Sequence, residues 1–198
     1  MSAAWSASHR YGVAPAPSGL GLVQDFLNTK GVEGYAPDLL ADTGLAEAWA
    51  ADAVAAWSQS RGVEASPPAL DDADLVRLRS LRTAIGALID GQPPSDAETG
   101  GVAATFVLSG FEVRLQPSGS GWRWLASALW GEILLSQQAG TWRRVKQCRN
   151  HQCGTTFYDR SKNNSGVWHD VKTCGNVANL RASRARRRER DAESGGAE

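Results

Sequence analysis

All three cysteines of this 198-residue chain lie near its C-terminus, and one histidine shares their spacing. Four residues separate Cys148 from Cys153, and four separate His169 from Cys174. Zn²⁺ prefers four tetrahedral ligands of thiolate sulfur and imidazole nitrogen, and four protein ligands leave no open position for a substrate. The pattern therefore predicts one structural Zn²⁺ ion, bound by Cys148, Cys153, His169 and Cys174.

Two other interpretations of these residues stay open at the level of sequence. The cysteines could be buried free thiols beside a surface histidine, and His151 is a rival ligand, although its position inside the first Cys loop is awkward. A disulfide is disfavoured because residues 1–21 do not resemble a signal peptide, so we expect a cytoplasmic protein. No apolar run approaches the roughly 18 residues that would cross a bilayer, so we expect no membrane partner.

The net charge of the chain is zero, but the charges are divided unevenly along it. Residues 143–190 carry 13 Lys and Arg against three acidic residues, whereas residues 1–142 carry eight against 15. The basic end contains a cluster of six arginines, namely Arg181, Arg184, Arg186, Arg187, Arg188 and Arg190. Because arginine binds phosphates and guanine edges, we expect the cluster to bind nucleic acid, DNA rather than RNA. The alternatives are a solvated, frayed tail and docking onto the acidic N-terminal part.

Apolar residues at helical spacing predict three helices in the body of the chain. The first begins at Asp42 or Thr43 and runs to about Ser60. The second covers about residues 71–90 and opens with acidic residues that complement the helix dipole. The third covers residues 124–138. Together they would supply most of the apolar core.

A small antiparallel hairpin is predicted between the second and third helices. Its strands are residues 103–108 and 111–115, joined by a Ser109-Gly110 turn. The apolar stretch at residues 21–29 is too short to decide between a strand and a short helix. The predicted fold class is therefore α+β, with a mainly helical N-terminal domain.

The C-terminal segment is predicted to be a small zinc finger that ends in a basic helix. Asn176 should cap this helix, which runs from Val177 to about Arg190, with Val177 and Leu180 docked on the finger. The predicted organisation is a flexible N-terminus (1–20), an α+β domain (21–141), a zinc finger with its basic helix (142–190) and a disordered tail (191–198).

The stretch from Cys148 to Arg188 resembles the CGNR zinc finger, which is found at the C-terminus of bacterial proteins described as transcription regulators. The motifs that carry the resemblance are Cys148 and Cys153, Phe157, Asp159-Arg160-Ser161-Lys162-Asn163, Trp168-His169 and Cys174-Gly175-Asn176-Val177. Upstream, Asp25-Phe26-Leu27-Asn28-Thr29 resembles the start of the ABATE domain that usually precedes this finger. The resemblance implies a bacterial regulator whose N-terminal domain senses a small-molecule ligand or forms a homodimer.

This chain departs from the family pattern at three places. His169 stands where the family has a cysteine ligand, and imidazole can also bind zinc. Val177 replaces the arginine of the Cys-Gly-Asn-Arg box, and Gly166-Val167 stands where two arginines are common. The finger itself therefore lacks three basic side chains that could contact nucleic acid.

These observations support two main hypotheses. The first is a cytoplasmic, zinc-binding, DNA-binding transcription regulator. The second, which the missing finger arginines favour, is a zinc-stabilised protein-interaction module without a nucleic-acid partner. An enzyme is not expected, because the sequence has no Gly-rich phosphate loop, nucleophile elbow or His-Glu metal helix.

Overall fold

The computed structural model of the chain describes residues 5–94, 101–150, 152–177, 179–180, 183–184 and 186–188. They form an α+β fold, with a mainly helical N-terminal part that carries one antiparallel hairpin and a small C-terminal part that carries a second hairpin and the cysteines. The helices are α1 (Ser6–His9), α2 (Leu20–Leu27), α3 (Thr43–Arg61), α4 (Asp72–Ile89) and α5 (Gly121–Gln138). The strands are β1 (Ala104–Ser109), β2 (Glu112–Pro117), β3 (Val145–Gln147) and β4 (Thr156–Tyr158).

Helix α2 lies at the centre of the N-terminal part. Every residue from Leu20 to Leu27 is buried, and α1, α3, α4 and α5 all pack against the helix. The helix has only eight residues, and so short an apolar stretch does not distinguish the period of a helix from that of a buried strand. This is why the sequence of residues 21–29 left the choice between strand and helix open, and the structure settles it as a helix.

Helices α3 and α4 are formed where apolar spacing predicted them, and aspartates cap both. The Asp42 carboxylate accepts the Leu45 N–H at 2.9 Å, and Gly62, in the left-handed conformation, caps the C-terminal end of α3. At the start of α4, Asp71 and Asp74 form a reciprocal capping box. Two of the acidic residues that were expected to complement the helix dipole therefore also cap α4.

Helix α5 begins at Gly121, three residues before its predicted start, and its inward face completes the core. Leu125, Leu129 and Ile133 are buried there, and Trp124 meets Trp57 of α3 edge to face at 5.9 Å between ring centroids. No helix among the residues that the structure describes is both long and apolar enough to cross a membrane.

The hairpin of β1 and β2 packs on α5, and Leu115 contacts the helix at Gly131. The register pairs Ser109 with Glu112, so the turn residues are Gly110 and Phe111, not Ser109 and Gly110 as predicted. Gly110 has a φ of 60°, which glycine adopts without steric cost at the first central position of a two-residue turn.

The N-terminal segment is also packed where the structure describes it, which corrects the expectation that residues 1–20 are flexible. Ala7, Ser8 and Ala16 are buried, and α1 packs against α2 and α3. The Ala-, Ser- and Pro-rich composition looks like that of a linker, but small side chains can pack closely against a helix.

Candidate metal centre

The four predicted ligands converge at the end of the second hairpin. Cys148 directly follows β3, and Cys153 lies in the loop that returns the chain to β4. The ligand atoms of Cys148, Cys153, His169 and Cys174 all lie within 4.8 Å of one another, and Cys153 Sγ is 3.3 Å from His169 Nδ1. In a tetrahedral zinc site such atoms are about 3.5–3.8 Å apart. The four donors therefore enclose a space of suitable size for one metal ion.

Backbone hydrogen bonds hold the two ligand pairs in place. Cys148 N–H donates to Thr155 O at 2.9 Å, which closes the first loop, and Arg149 N–H donates to Val167 O at 3.0 Å, which draws in the segment that carries His169. Cys174 lies in a π-helical turn (Val171–Gly175). The site is thus assembled from main-chain geometry that the hairpin and this turn provide.

Each sulfur atom also has a hydrogen-bonding group beside it. The backbone N–H groups of Asn150 and His169 face the Cys148 sulfur, Asn150 Nδ2 lies 3.4 Å from Cys174 Sγ, and the Thr155 hydroxyl lies 3.0 Å from Cys153 Sγ. Such donors orient metal ligands and stabilise thiolate charge. The sequence interpretation missed Asn150 and Thr155, although each follows a cysteine by two positions.

The chemistry of the donors fits a cation. Burial raises the pKa of the Cys148 thiol to about 12, although the two N–H groups that face it favour the thiolate. A metal ion supplies the positive charge that removes this proton, so binding should strengthen as pH rises. Three thiolates and one imidazole are ligands that Zn²⁺ prefers, and with four of them the site is closed.

The structure also bears on the alternatives that the sequence left open. All three cysteines are free thiols, and His169 lies with them and not alone on the surface. His151, the rival ligand, lies outside the described residues.

Comparison with protein families agrees with this geometry. Residues 144–187 match the CGNR zinc finger, and residues 20–142 match the ABATE family, described as "Putative stress-induced transcription regulator". The second match covers more than half of the chain. The protein belongs to the ABATE family. No curated protein matches the chain.

The structure explains one departure of this ABATE protein from the CGNR pattern, the glycine at position 166. Asp159 is 3% exposed, forms an ion pair with Lys146 at 2.7 Å and accepts the Gly166 N–H at 2.7 Å. A Cβ atom at Gly166 would lie 2.9 Å from the Asp159 carboxyl carbon. An arginine at position 166 would therefore displace this carboxylate.

Burial acts to raise the pKa of Asp159, but its hydrogen bonds outweigh that effect. Lys146 donates to the carboxylate, as do the backbone N–H groups of Ser161 and Gly166. Together they hold the pKa of Asp159 well below its ordinary value. The loop between the two ligand pairs is thus organised around one buried, ionised carboxylate.

The arginine cluster follows the metal-binding turn directly. Residues 176–177, 179–180, 183–184 and 186–188 have helical backbone, and Arg184, Arg186, Arg187 and Arg188 are exposed. Arg181 and Arg190, the other predicted contacts, lie outside the described residues.

The expectation that Val177 and Leu180 dock on the finger is wrong. Their side chains are 39% and 57% exposed. Cys174 and Gly175 are the buried residues of the turn, and a Cβ at Gly175 would lie 3.2 Å from the Trp168 ring. The Trp168 ring therefore packs against the turn at Gly175.

Proposed function

We propose that this protein is a zinc-binding, DNA-binding transcription regulator of bacterial cytoplasm. The observation that carries the proposal is that the described residues directly after the metal-binding turn have helical backbone and include four exposed arginines. Because Cys174 is both a ligand and part of this turn, a bound Zn²⁺ ion would fix the start of the helix. The metal would thus orient the arginines without taking part in any reaction.

The spacing of the arginines suits a phosphate backbone. At 100° per residue, Arg184, Arg187 and Arg188 lie on one face of the helix, and Arg186 lies on the opposite face. One face with three guanidinium groups can contact phosphates along a groove, and such contacts supply mainly sequence-independent affinity.

The N-terminal domain would then receive a signal, either a small molecule or a second copy of the chain. A cavity of about 380 Å³ supports the first option, because its walls include Tyr11 and Tyr35 from the N-terminal domain and Cys153 and His169 from the metal centre. The two tyrosine rings stack at 5.7 Å between centroids. A ligand in this cavity would contact both parts of the molecule.

Salt-titrated DNA binding tests the proposal. Fluorescence anisotropy with a random-sequence 30-base-pair duplex should give an affinity that falls about 10³-fold between 50 and 200 mM salt if six phosphates are contacted. The triple variant R184A/R187A/R188A should reduce the salt slope by about three, one for each lost contact. The control R77A/R114A/R123A removes three charges from the N-terminal domain and should bind as the wild type does. Equal binding by both triple variants would contradict the proposal, and tighter binding to duplex RNA would contradict the choice of DNA.

A zinc-stabilised protein-interaction module is the second candidate, and the exposure of Val177 and Leu180 favours it. The helix offers an apolar pair, and Val177 stands where the family has an arginine. A partner that is captured after nuclease treatment, is lost in Leu180→Asp and is kept in R184A/R187A/R188A would support this function. Binding of the duplex with the predicted salt dependence would argue against it.

A further inference from the structure

One side chain of the N-terminal domain binds the backbone of the finger. Asn28, which ends α2, donates from Nδ2 to Thr156 O at 2.9 Å and accepts Thr156 N–H at Oδ1 at 2.8 Å. Asn28 and Thr156 are 2% and 1% exposed. The amide thus binds both polar groups of one residue of β4, as a neighbouring strand would, although 128 positions separate the two residues.

The residue held by Asn28 is next to one that contacts two metal ligands. Thr155 accepts the Cys148 N–H at its carbonyl oxygen at 2.9 Å, and its hydroxyl lies 3.0 Å from Cys153 Sγ. Thr155 is itself 3% exposed. The position of Thr156 therefore determines where Thr155 places the first pair of ligands.

Asn28 is in turn fixed by a buried polar network of the N-terminal domain. Its Nδ2 also donates to Ser8 Oγ at 3.1 Å, and Ser8 N–H donates to Asp25 Oδ1 at 2.7 Å. The second oxygen of Asp25 accepts the Trp49 indole N–H at 2.9 Å. Hydrogen bonds therefore run from α3, through α2 and α1, to β4 of the finger.

Other contacts also join the two parts. Val145 of β3 is buried in the same apolar cluster as α2, and Arg160 donates to Pro15 O at 2.6 Å on the exposed side. These contacts can keep the finger docked when Asn28 is replaced. A change at Asn28 should therefore loosen the ligand loop without detaching it.

We propose that Asn28 is a positioning residue of the metal centre, through which the N-terminal domain sets the metal affinity of the finger. This inference rests on the metal binding proposed above. Since coupling between two sites is reciprocal, metal loading must also stabilise α2. A ligand that shifts α2 would change the metal affinity by the same route.

Metal affinity of the full-length chain tests this proposal. Competition with a chromophoric chelator should show zinc bound 10- to 100-fold more weakly by Asn28→Ala, the range found for residues that orient metal ligands. The visible spectrum of bound Co²⁺, which reports ligand geometry, should also change. Asn163→Ala, an exposed asparagine of the finger, controls for residue type, and Leu78→Ala controls for a general loss of stability in the N-terminal domain. Both controls should stay within about threefold of the wild type.

Zinc affinity and a Co²⁺ spectrum unchanged in Asn28→Ala would overturn the inference while leaving metal binding intact. Equal weakening by Leu78→Ala would reduce Asn28 to a merely structural role and overturn it as well. Well under one zinc per wild-type chain would overturn the proposed metal site, and this inference with it.

A second measurement needs no variant. Hydrogen exchange of the wild-type chain should show slower exchange of the Thr156 amide and of α2 when zinc is added. Protection confined to residues 144–177 would overturn the coupling.

Discussion

The N-terminal domain and the finger bury different kinds of groups. The largest fully buried side chains among the described residues all belong to the N-terminal domain, and Trp49 and Phe26 are the two largest of them. In the finger, the buried hydrophobic residues that the structure describes are Val145, Phe157 and two ligand cysteines, and Val145 belongs to the cluster of the N-terminal domain. One region is thus stabilised by apolar area, and the other depends on metal ligation, hydrogen bonds and its neighbour.

The buried polar groups sharpen this contrast. The finger buries Thr155, Thr156 and Asp159, each with a defined hydrogen-bond partner. Polar contacts of this kind contribute little net free energy but impose a precise geometry, because an unpaired buried group is costly. A finger built in this way keeps its ligands aligned but cannot fold on apolar burial alone.

Loss of a metal ligand should therefore have the largest effect, and chiefly on the finger. Structural zinc contributes on the order of 10–16 kcal/mol to the folding of small fingers. In Cys174→Ser, zinc content should fall from about one ion per chain to a small fraction, and hydrogen exchange should become fast across residues 144–177. Helices α3 and α4 should keep their protection.

The matched control for that variant is His169→Cys, which restores the cysteine that the family has at this position. It should retain one metal ion per chain and a protected finger. Continued slow exchange of the finger in Cys174→Ser would mean that docking alone can order it, and the contrast between the two regions would then be wrong.

A deletion in the apolar core should give a smaller effect on the other side. Leu78 of α4 is fully buried, and truncation of such a side chain costs about 2–5 kcal/mol. Urea unfolding of Leu78→Ala should show this loss, while zinc content per folded chain stays at the wild-type value. Val76→Ala, on the exposed side of the same helix, should change stability by less than about 0.5 kcal/mol. A similar loss from both variants would show that the core is not where the N-terminal domain gains its stability.

The parts of the fold that local patterns determine could be predicted from the sequence. Helices α3, α4 and α5 show one apolar face each, and Asp42 and Asp71 mark the starts of α3 and α4. The metal ligands were predictable because chelation requires a fixed spacing of a few residue types. The family resemblance rested on this spacing, on the motifs around it and, for the ABATE domain, on the Asp25-Phe26-Leu27-Asn28-Thr29 run, and it is confirmed by the two family matches.

Long-range contacts explain most of what the sequence did not show. The link between Asn28 and Thr156 joins distant segments, and no local pattern encodes it. The one sign of this link in the sequence is a mainly apolar run that contains Gln24, Asp25 and Asn28. Polar residues in such a run indicate buried polar partners. The prediction that Val177 and Leu180 dock on the finger failed because an apolar side chain does not by itself show that a surface is available for it to pack against.

The contributions of two buried carboxylates to folding stability, one in each region, should change with pH in opposite directions. Burial raises the pKa of Asp25, and its neutral partners Ser8 and Trp49 offset this only in part. The pKa of Asp159 is instead held low by Lys146 and by backbone N–H groups. The N-terminal domain thus favours a protonated Asp25, whereas the finger requires an ionised Asp159.

The sign of each effect follows from the unfolded pKa of about 3.8 for aspartate. Asp25 contributes stability that is fully present below this value and is lost as pH rises through its raised folded pKa. Asp159 contributes stability that is present above this value and is lost progressively as pH falls from about 5. Relative to Asp25→Asn, the wild type should therefore become less stable from pH 4 to pH 8, and relative to Asp159→Asn it should become more stable.

Urea unfolding of the three proteins at pH 3, 4, 6 and 8 checks this prediction, with zinc kept at one concentration throughout. Each aspartate is compared with its own asparagine variant at the same pH, so zinc loss in acid affects both members of a pair and largely cancels. Differences that change with pH in the same direction for both pairs would contradict the opposite shifts. The finger would then be no more dependent on ionised groups than the helical domain is.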